Sequence, residues 1–282
     1  MSQSACPHRW LFCLALLLSA CYAPSVARQR SYHASDADLT VTRIVHASVI
    51  LDFRGTRILV DPWYSPNPPL GPRETIGIGL DKLPPMRGIL ITHQHDDHFD
   101  VETLENYPDK SVRVVVPRGL GDRIRIMGYE DVVEVENWEQ TQIGSVILMA
   151  VPARHSVREN GYVLQGDSVT VYVAGDTLYE AKSFTEIAAA FPSIDVALLP
   201  VGGYRMLGRQ LDMTPEQAAR AFTILRPRYA IPYHYGLTGP FPFVLSRAEA
   251  PKALIQAIEK RAPGSGSSVV VLETGESWHH YR

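Results

Sequence analysis

Cysteine is missing from the body of this chain. All three cysteines, Cys6, Cys13 and Cys21, fall within the first 21 of 282 residues. No disulfide can brace the remainder, and no thiolate can serve there as nucleophile or metal ligand. A surplus of positive charge is missing too. The 27 Lys and Arg stand against 30 Asp and Glu, for a net charge of -3. That balance gives no sign of the basic face on which nucleic acid binds. Internal repeats of the solenoid kind are absent as well. The apolar run from Trp10 to Ala20 is eleven residues long, short of the ~20 that a bilayer-crossing helix needs.

That run follows Arg9 and reads as a targeting segment to be set apart from the fold. Leu18-Ser19-Ala20-Cys21 resembles a bacterial lipobox. Residues 1–20 would then be a lipoprotein signal peptide, and Cys21 the lipidated first residue of an exported, membrane-anchored protein. The alternative is an ordinary signal peptide cut near Ala23 or Ala27. Tyr22 after the cysteine, in place of Asp, is compatible with outer-membrane sorting. Residues 21–38 show no apolar period and read as a tether. Residues 39–282 remain as one domain, and with a chain that is 45% hydrophobic it has enough apolar material for a sizeable core.

Within the domain, strands are expected over Leu39–Val45, Ser48–Phe53 and Arg57–Val60, the last two joined as a hairpin at Arg54-Gly55. Seven prolines between Pro62 and Pro85 mark a long loop, and loops of that length are usually functional. Asp100 is placed to cap a short helix over Val101–Tyr107. Thr214-Pro215-Glu216-Gln217 reads as a capping box with proline at the first helical position. A last helix is expected over Pro251–Lys260, and a terminal hairpin from Val269–Glu273 and Ser277–Tyr281.

What the chain does have is His93-Gln-His95-Asp-Asp97-His98, directly after the apolar run Gly88–Thr92. Imidazole and carboxylate in such density suit zinc and similar divalent ions. His155, Asp176 and His234 each close a further apolar run. One edge of a sheet system would collect all seven metal-ligating candidates. Asp61 and Asp100 read as carboxylates that orient ligand imidazoles. Arg154, Arg158 and Arg205 could meet a phosphate, although arginines in loops are usually solvated. Thr177 reads as a local backbone hydrogen-bonder, and His279 and His280 as surface residues of the terminal hairpin. Trp63-Tyr64, Tyr204–Arg209 and Gly236–Leu245 form candidate rims, or merely pack loops onto the body.

The order of these motifs resembles the metallo-β-lactamase-fold hydrolases. Val45-His46-Ala47-Ser48, Asp61-Pro62, His93 to Asp100, Gly175-Asp176-Thr177, Pro200-Val-Gly-Gly203 and Pro232-Tyr-His234 carry the likeness. They are most similar to the branch holding N-acyl-phosphatidylethanolamine phospholipase D and the L-ascorbate-6-phosphate lactonase-like hydrolases. Val45 departs from that branch, which usually has Gly there. The resemblance runs from about Thr40 to the C-terminus and implies an α/β fold, a four-layer αββα sandwich.

It further implies two divalent metal ions, zinc first, with manganese, iron or nickel as options. His93, His95 and His155 would hold one ion, Asp97, His98 and His234 the other, and Asp176 would bridge them. The nucleophile would be hydroxide held by the ions. Asp97 would orient it and move its proton, and His46 would line the mouth. A bridging Asp176 and a body free of cysteine argue against β-lactam hydrolysis, and His95 stands where flavodiiron oxidoreductases of this fold use Glu. The expected bond is a phosphodiester, as in phospholipase D, with a lactone or carboxylic ester as alternative. An N-acyl phospholipid would suit an apolar rim on a membrane-held enzyme. A non-catalytic metal-binding lipoprotein is the reading from a different class, and it would predict a degraded ligand set.

Overall fold

A computed structural model describes residues 30–65, 71–72, 74–239, 244–245 and 249–282. The expected leader, Cys21 and most of the tether therefore lie outside the described residues, as do parts of the proline-rich loop and of the 236–245 rim. Among the described residues, no helix is long and apolar enough to cross a membrane.

The first half of the domain builds six strands of a seven-stranded sheet. Its strands are β1 (Leu39–Val45), β2 (Ser48–Phe53), β3 (Thr56–Val60), β4 (Gly88–Leu90), β5 (Arg113–Pro117) and β6 (Val132–Val135). Helices α1 (Val101–Asn106) and α2 (Gly121–Ile126) cross between them. The second half builds a six-stranded sheet from β7 (Gln140–Ile143), β8 (Val146–Pro152), β9 (Asn160–Gln165), β10 (Thr170–Val173), β11 (Val196–Pro200) and β12 (Tyr229–Tyr233). Helices α3 (Ala181–Ala190), α4 (Pro215–Leu225) and α5 (Ala250–Arg261) belong to this half. In each sheet an antiparallel meander passes into parallel strands, β3 to β6 in one and β10 to β12 in the other.

Alternation along the strands sorts side chains into three apolar layers. Val41, Leu51, Val60, Leu164, Val173 and Leu198 meet between the sheets. Tyr172, Ala197 and Leu199 point the other way, onto Phe184, Phe222 and Leu254 of the three helices of the second half. Ile50, Leu59 and Val114 pack against Leu104 and Ile124 of α1 and α2. Strand β11 is buried at every position, as a parallel strand covered on both faces must be. The arrangement is the expected αββα sandwich.

The expected terminal hairpin is not formed. Strand β13 (Ser277–His280) pairs antiparallel with β1, adding an edge to the first sheet. Val269 instead bridges Ala230 of the second sheet, and the Val270 amide donates to the Ala230 carbonyl at 2.9 Å. The segment thus crosses from one sheet to the other. Pairing with β1 also buries His280, which is 3% exposed and not the surface residue expected. Residues 30–38 lie along the body, where the Arg30 amide donates to the Gly77 carbonyl at 2.8 Å and the Tyr32 phenol donates to Asp52.

Glu134 makes a local test of this packing. Its Oε1 accepts from the backbone amides of Gly121 at 3.1 Å and Gly119 at 2.6 Å, at the start of α2. The Gly121 amide is the main cause of a carboxyl pKa below the ordinary 4.5. A depressed pKa stabilises the fold above the unfolded value and is lost as pH falls through the folded one. Glu134→Ala is expected to cost about 1 kcal/mol at pH 7, read as a lower urea midpoint. The gap from the parent should close as the titration is repeated toward pH 3.

Candidate metal centre

Every expected ligand sits where a strand ends. His93 follows β4, His155 follows β8, Asp176 follows β10 and His234 follows β12. These carboxyl ends open on one side, the edge at which α/β sheets place their sites. His46, Asp61 and His234 hold φ angles of 51°, 43° and 53°. Left-handed backbone at non-glycine residues costs free energy and is concentrated at functional sites. Gly175, at φ +67°, turns the chain before Asp176, and a Cβ there would lie 2.3 Å from Glu159 Oε1.

The donors form overlapping groups: His93, His95 and His155; His93, His98 and Asp176; and His46, Asp97, His98 and His234. His95 Nδ1 lies 2.9 Å from His93 Nε2 and 3.0 Å from His155 Nε2. Nitrogens bound about 2.0–2.1 Å from one tetrahedral ion stand roughly 3.4 Å apart, close to what is seen. Asp176 Oδ2 lies 2.8 Å from His234 Nε2, 3.2 Å from His98 Nε2 and 3.8 Å from His93 Nε2. Asp97 Oδ2 lies 3.6 Å from His234 Nε2 and 3.7 Å from His98 Nε2.

Behind these imidazoles stand buried carboxylates. His98 Nδ1 donates to Asp61 Oδ2 at 2.8 Å, and His234 Nδ1 donates to Asp212 Oδ2 at 2.9 Å. His93 Nδ1 is hydrogen-bonded to Thr92 Oγ1 at 3.0 Å and faces Glu159 Oε1 at 3.2 Å. An ionised carboxylate only accepts, so Nδ1 of His98 and of His234 carries a ring proton and Nε2 is aimed into the cluster. Among the described residues, His98 Nε2, His234 Nε2 and Asp176 Oδ1 are buried there without a well-aligned hydrogen bond, although both nitrogens stand within 3.2 Å of Asp176 Oδ2. Orphaned donors of this kind, converging from several strands, fit divalent cations.

The charges agree. Burial raises the Asp97 and Asp176 carboxyls, yet His98 and His234 outweigh it and hold both well below 3.8. Burial likewise opposes charge on His98 and His234, but Asp176 foremost lifts both well above 6.5. Without ions the carboxylates hold protons on the imidazoles; a divalent cation can take the place of those protons. Burial foremost, with the Asp176 charge adding to it, pushes Glu159 up to about 8 and Asp212 up to about 6.

His46 is fully buried under Asp97, Trp63 and Tyr204 and does not line an open mouth. Its Nε2 lies 3.2 Å from Asp97 Oδ2 and its Nδ1 3.2 Å from the Tyr235 carbonyl. Burial holds its pKa down to about 4, so one ring proton serves two acceptors. Asp61 orients His98 as expected, whereas Asp100 touches no imidazole. Asp100 caps α1 through the Thr103 amide and binds the Tyr64 and Ser65 amides at 2.9 and 2.7 Å. Thr177 Oγ1 accepts from the Arg154 amide and donates to the Leu178 carbonyl. Arg154 and Arg158 are mostly solvated beside Glu180 and Glu136, and Arg205 is exposed. Trp63 packs on Tyr204 and Leu237 instead of facing solvent. Glu159 and Asp212 went unread in the sequence.

An αββα sandwich with imidazole and carboxylate donors gathered at one edge defines a metal-dependent hydrolase of the metallo-β-lactamase superfamily. The chain belongs to the family described as Beta-lactamase superfamily domain, which matches residues 56–235. It is 32% identical over 248 residues to a UPF0173 metal-dependent hydrolase of Pyrococcus furiosus, covering 84% of this chain and 97% of that protein. Among solved structures it is similar to Igni18, a metallo hydrolase from Ignicoccus hospitalis, with a TM-score of 0.66 and 24% identity over 85% of this chain and 97% of that one. CmlA, a diiron β-hydroxylase from Streptomyces venezuelae, superposes with a TM-score of 0.67 at 21% identity, over 88% of this chain and 55% of its own.

Proposed function

We propose that this hydrolase is dinuclear and cleaves phosphodiesters, at a bond of the phospholipase D type. The observation that carries the dinuclear part is the overlap of the donor groups, in which His93, His98 and Asp176 connect one set to the other. His93, His95 and His155 would hold one ion, and Asp97, His98 and His234 the second, with Asp176 between them. Bound there, two divalent ions, zinc first and manganese, iron or nickel next, would acidify water from a pKa of about 15.7 to about 7 and polarise the scissile group's oxygen. The chain supplies the rest. Asp97 is 23% exposed, against 5% for Asp176, so Asp97 can reach the attacking water, orient it and take its proton. Asp61 and Asp212 hold the imidazoles of His98 and His234 in one tautomer.

The bond class is supported by the order of motifs from His46 to His234, which resembles the phospholipase D branch. The test is hydrolysis of bis(p-nitrophenyl) phosphate by the metal-reconstituted domain. Turnover that a chelator removes and added metal restores is the expected result. Full metal content without turnover would overturn the phosphodiester and move the assignment to lactones and carboxylic esters.

A further inference from the structure

Glu159 opens no motif, yet it sits at the junction of everything the candidate site needs. Its backbone forms an isolated antiparallel bridge with His93, and the Asn160 amide donates to the Thr92 carbonyl at 3.1 Å. These contacts tie the end of β4 in the first sheet to the start of β9 in the second. Its side chain is fully buried. One oxygen, Oε1, lies 3.2 Å from His93 Nδ1 and accepts from the Asp176 amide at 2.5 Å. The other, Oε2, is buried with no hydrogen-bond partner among the described residues. Gly175 is shaped around it, since any Cβ there would strike Oε1 at 2.3 Å. The motif glycine before Asp176 is thus explained by a glutamate from another strand.

We propose that Glu159 is a positioning residue that governs the His93, His95 and His155 metal position, and ties it to the loop carrying Asp176. The inference rests on the dinuclear reading above. His98 and His234 lean on Asp61 and Asp212, so the other metal position has its own supports. A neutral glutamine could satisfy the same two donors at lower desolvation cost. A carboxylate in that place strengthens the basicity of the imidazole it holds, and loss of such a partner typically weakens a metal by ~10–100-fold. Burial by itself favours the neutral acid at Glu159, so the carboxylate charge belongs to the cation-loaded site, where a positive ion on the facing His93 imidazole favours it.

Two variants separate this role from simple packing. Glu159→Gln keeps volume and an acceptor oxygen but drops the charge; Glu159→Asp keeps the charge on a shorter arm. Co2+ uptake by the full domain, followed by its absorption bands and by competition with a chromogenic chelator, reads each ion separately. The parent is expected to take two ions. In Glu159→Gln one ion should stay at parent affinity and the other weaken by ~10–100-fold, with Glu159→Asp recovering part of the loss. Asp212→Asn should weaken the opposite ion.

Parent-like binding of both ions by Glu159→Gln overturns the proposal. So does equal weakening of both ions, or a Glu159→Asp variant worse than Glu159→Gln, the order a packing strut would give. A parent that takes up only one ion overturns the dinuclear reading and this inference together. That failure shows in the parent itself, not in the variants.

Discussion

Asp176→Asn is expected to remove turnover by roughly three orders of magnitude or more, about 4 kcal/mol of transition-state stabilisation. Asp176 Oδ2 lies within 3.8 Å of ligating nitrogens from His93, His98 and His234, so its carboxylate touches both proposed metal positions. The carboxylate is 5% exposed and its charge is held by those imidazoles. Asparagine keeps the volume and leaves the backbone bond from the Asp176 amide to Glu159 in place, so the fold should survive. What it cannot keep is the negative charge that shares two cations. Metal content by mass spectrometry should fall from two ions toward one, in step with the lost turnover. Activity within tenfold of the parent, at two ions per chain, would show that Asp176 does not bridge.

The candidate ligands are legible in the sequence because they follow apolar strands, and the fold makes strand ends converge. His93, His155, Asp176 and His234 need no contact information to be found. The same logic finds Asp61, which ends β3 and reaches His98. Glu159 and Asp212 carry no such mark. One precedes a strand and the other lies in a loop before α4, and a single acidic residue in such a place is ordinary. Their partners are fixed only when the two sheets face each other, a long-range event without a spacing rule. Asp100 shows the opposite error. Its position two residues after His98 suggests an orienting carboxylate, but helix capping and the Tyr64 and Ser65 amides take up its oxygens.

The C-terminus fails for a related reason. Val269–Glu273 and Ser277–Tyr281 have the pattern of a hairpin, and a turn does join them through the Glu276 amide and Glu273 carbonyl at 3.0 Å. Both sheets, however, offer an unpaired edge at that point. β1 takes Ser277–His280 and the Ala230 edge takes Val269. Open edges outcompete local pairing, because each forms the backbone bonds that a lone hairpin makes only marginally. Fold alone does not choose the chemistry either. A diiron hydroxylase and a metallo hydrolase share this sandwich, so the assignment rests on donors at particular positions.

Asp97→Ala separates the two duties given to that residue. Its carboxylate is near His98 and His234 at 3.7 and 3.6 Å, near enough to share an ion with them. Yet its 23% exposure exceeds that of every imidazole and carboxylate it faces, and His46 Nε2 approaches it at 3.2 Å from below. If orienting water and taking its proton is the larger duty, kcat should fall by roughly 100- to 10,000-fold while both ions remain. His98, His234 and Asp176 would suffice to keep the second ion. Loss of that ion in equal measure would make Asp97 chiefly a ligand, and full turnover with both ions bound would remove it from the chemistry. Kinetics and metal analysis on the same preparation decide among the three. The first outcome also gives His46 its purpose. A buried neutral ring whose Nε2 lies 3.2 Å from Asp97 Oδ2 can donate to that carboxylate while it is charged and hold it in place, with Nδ1 set against the Tyr235 carbonyl.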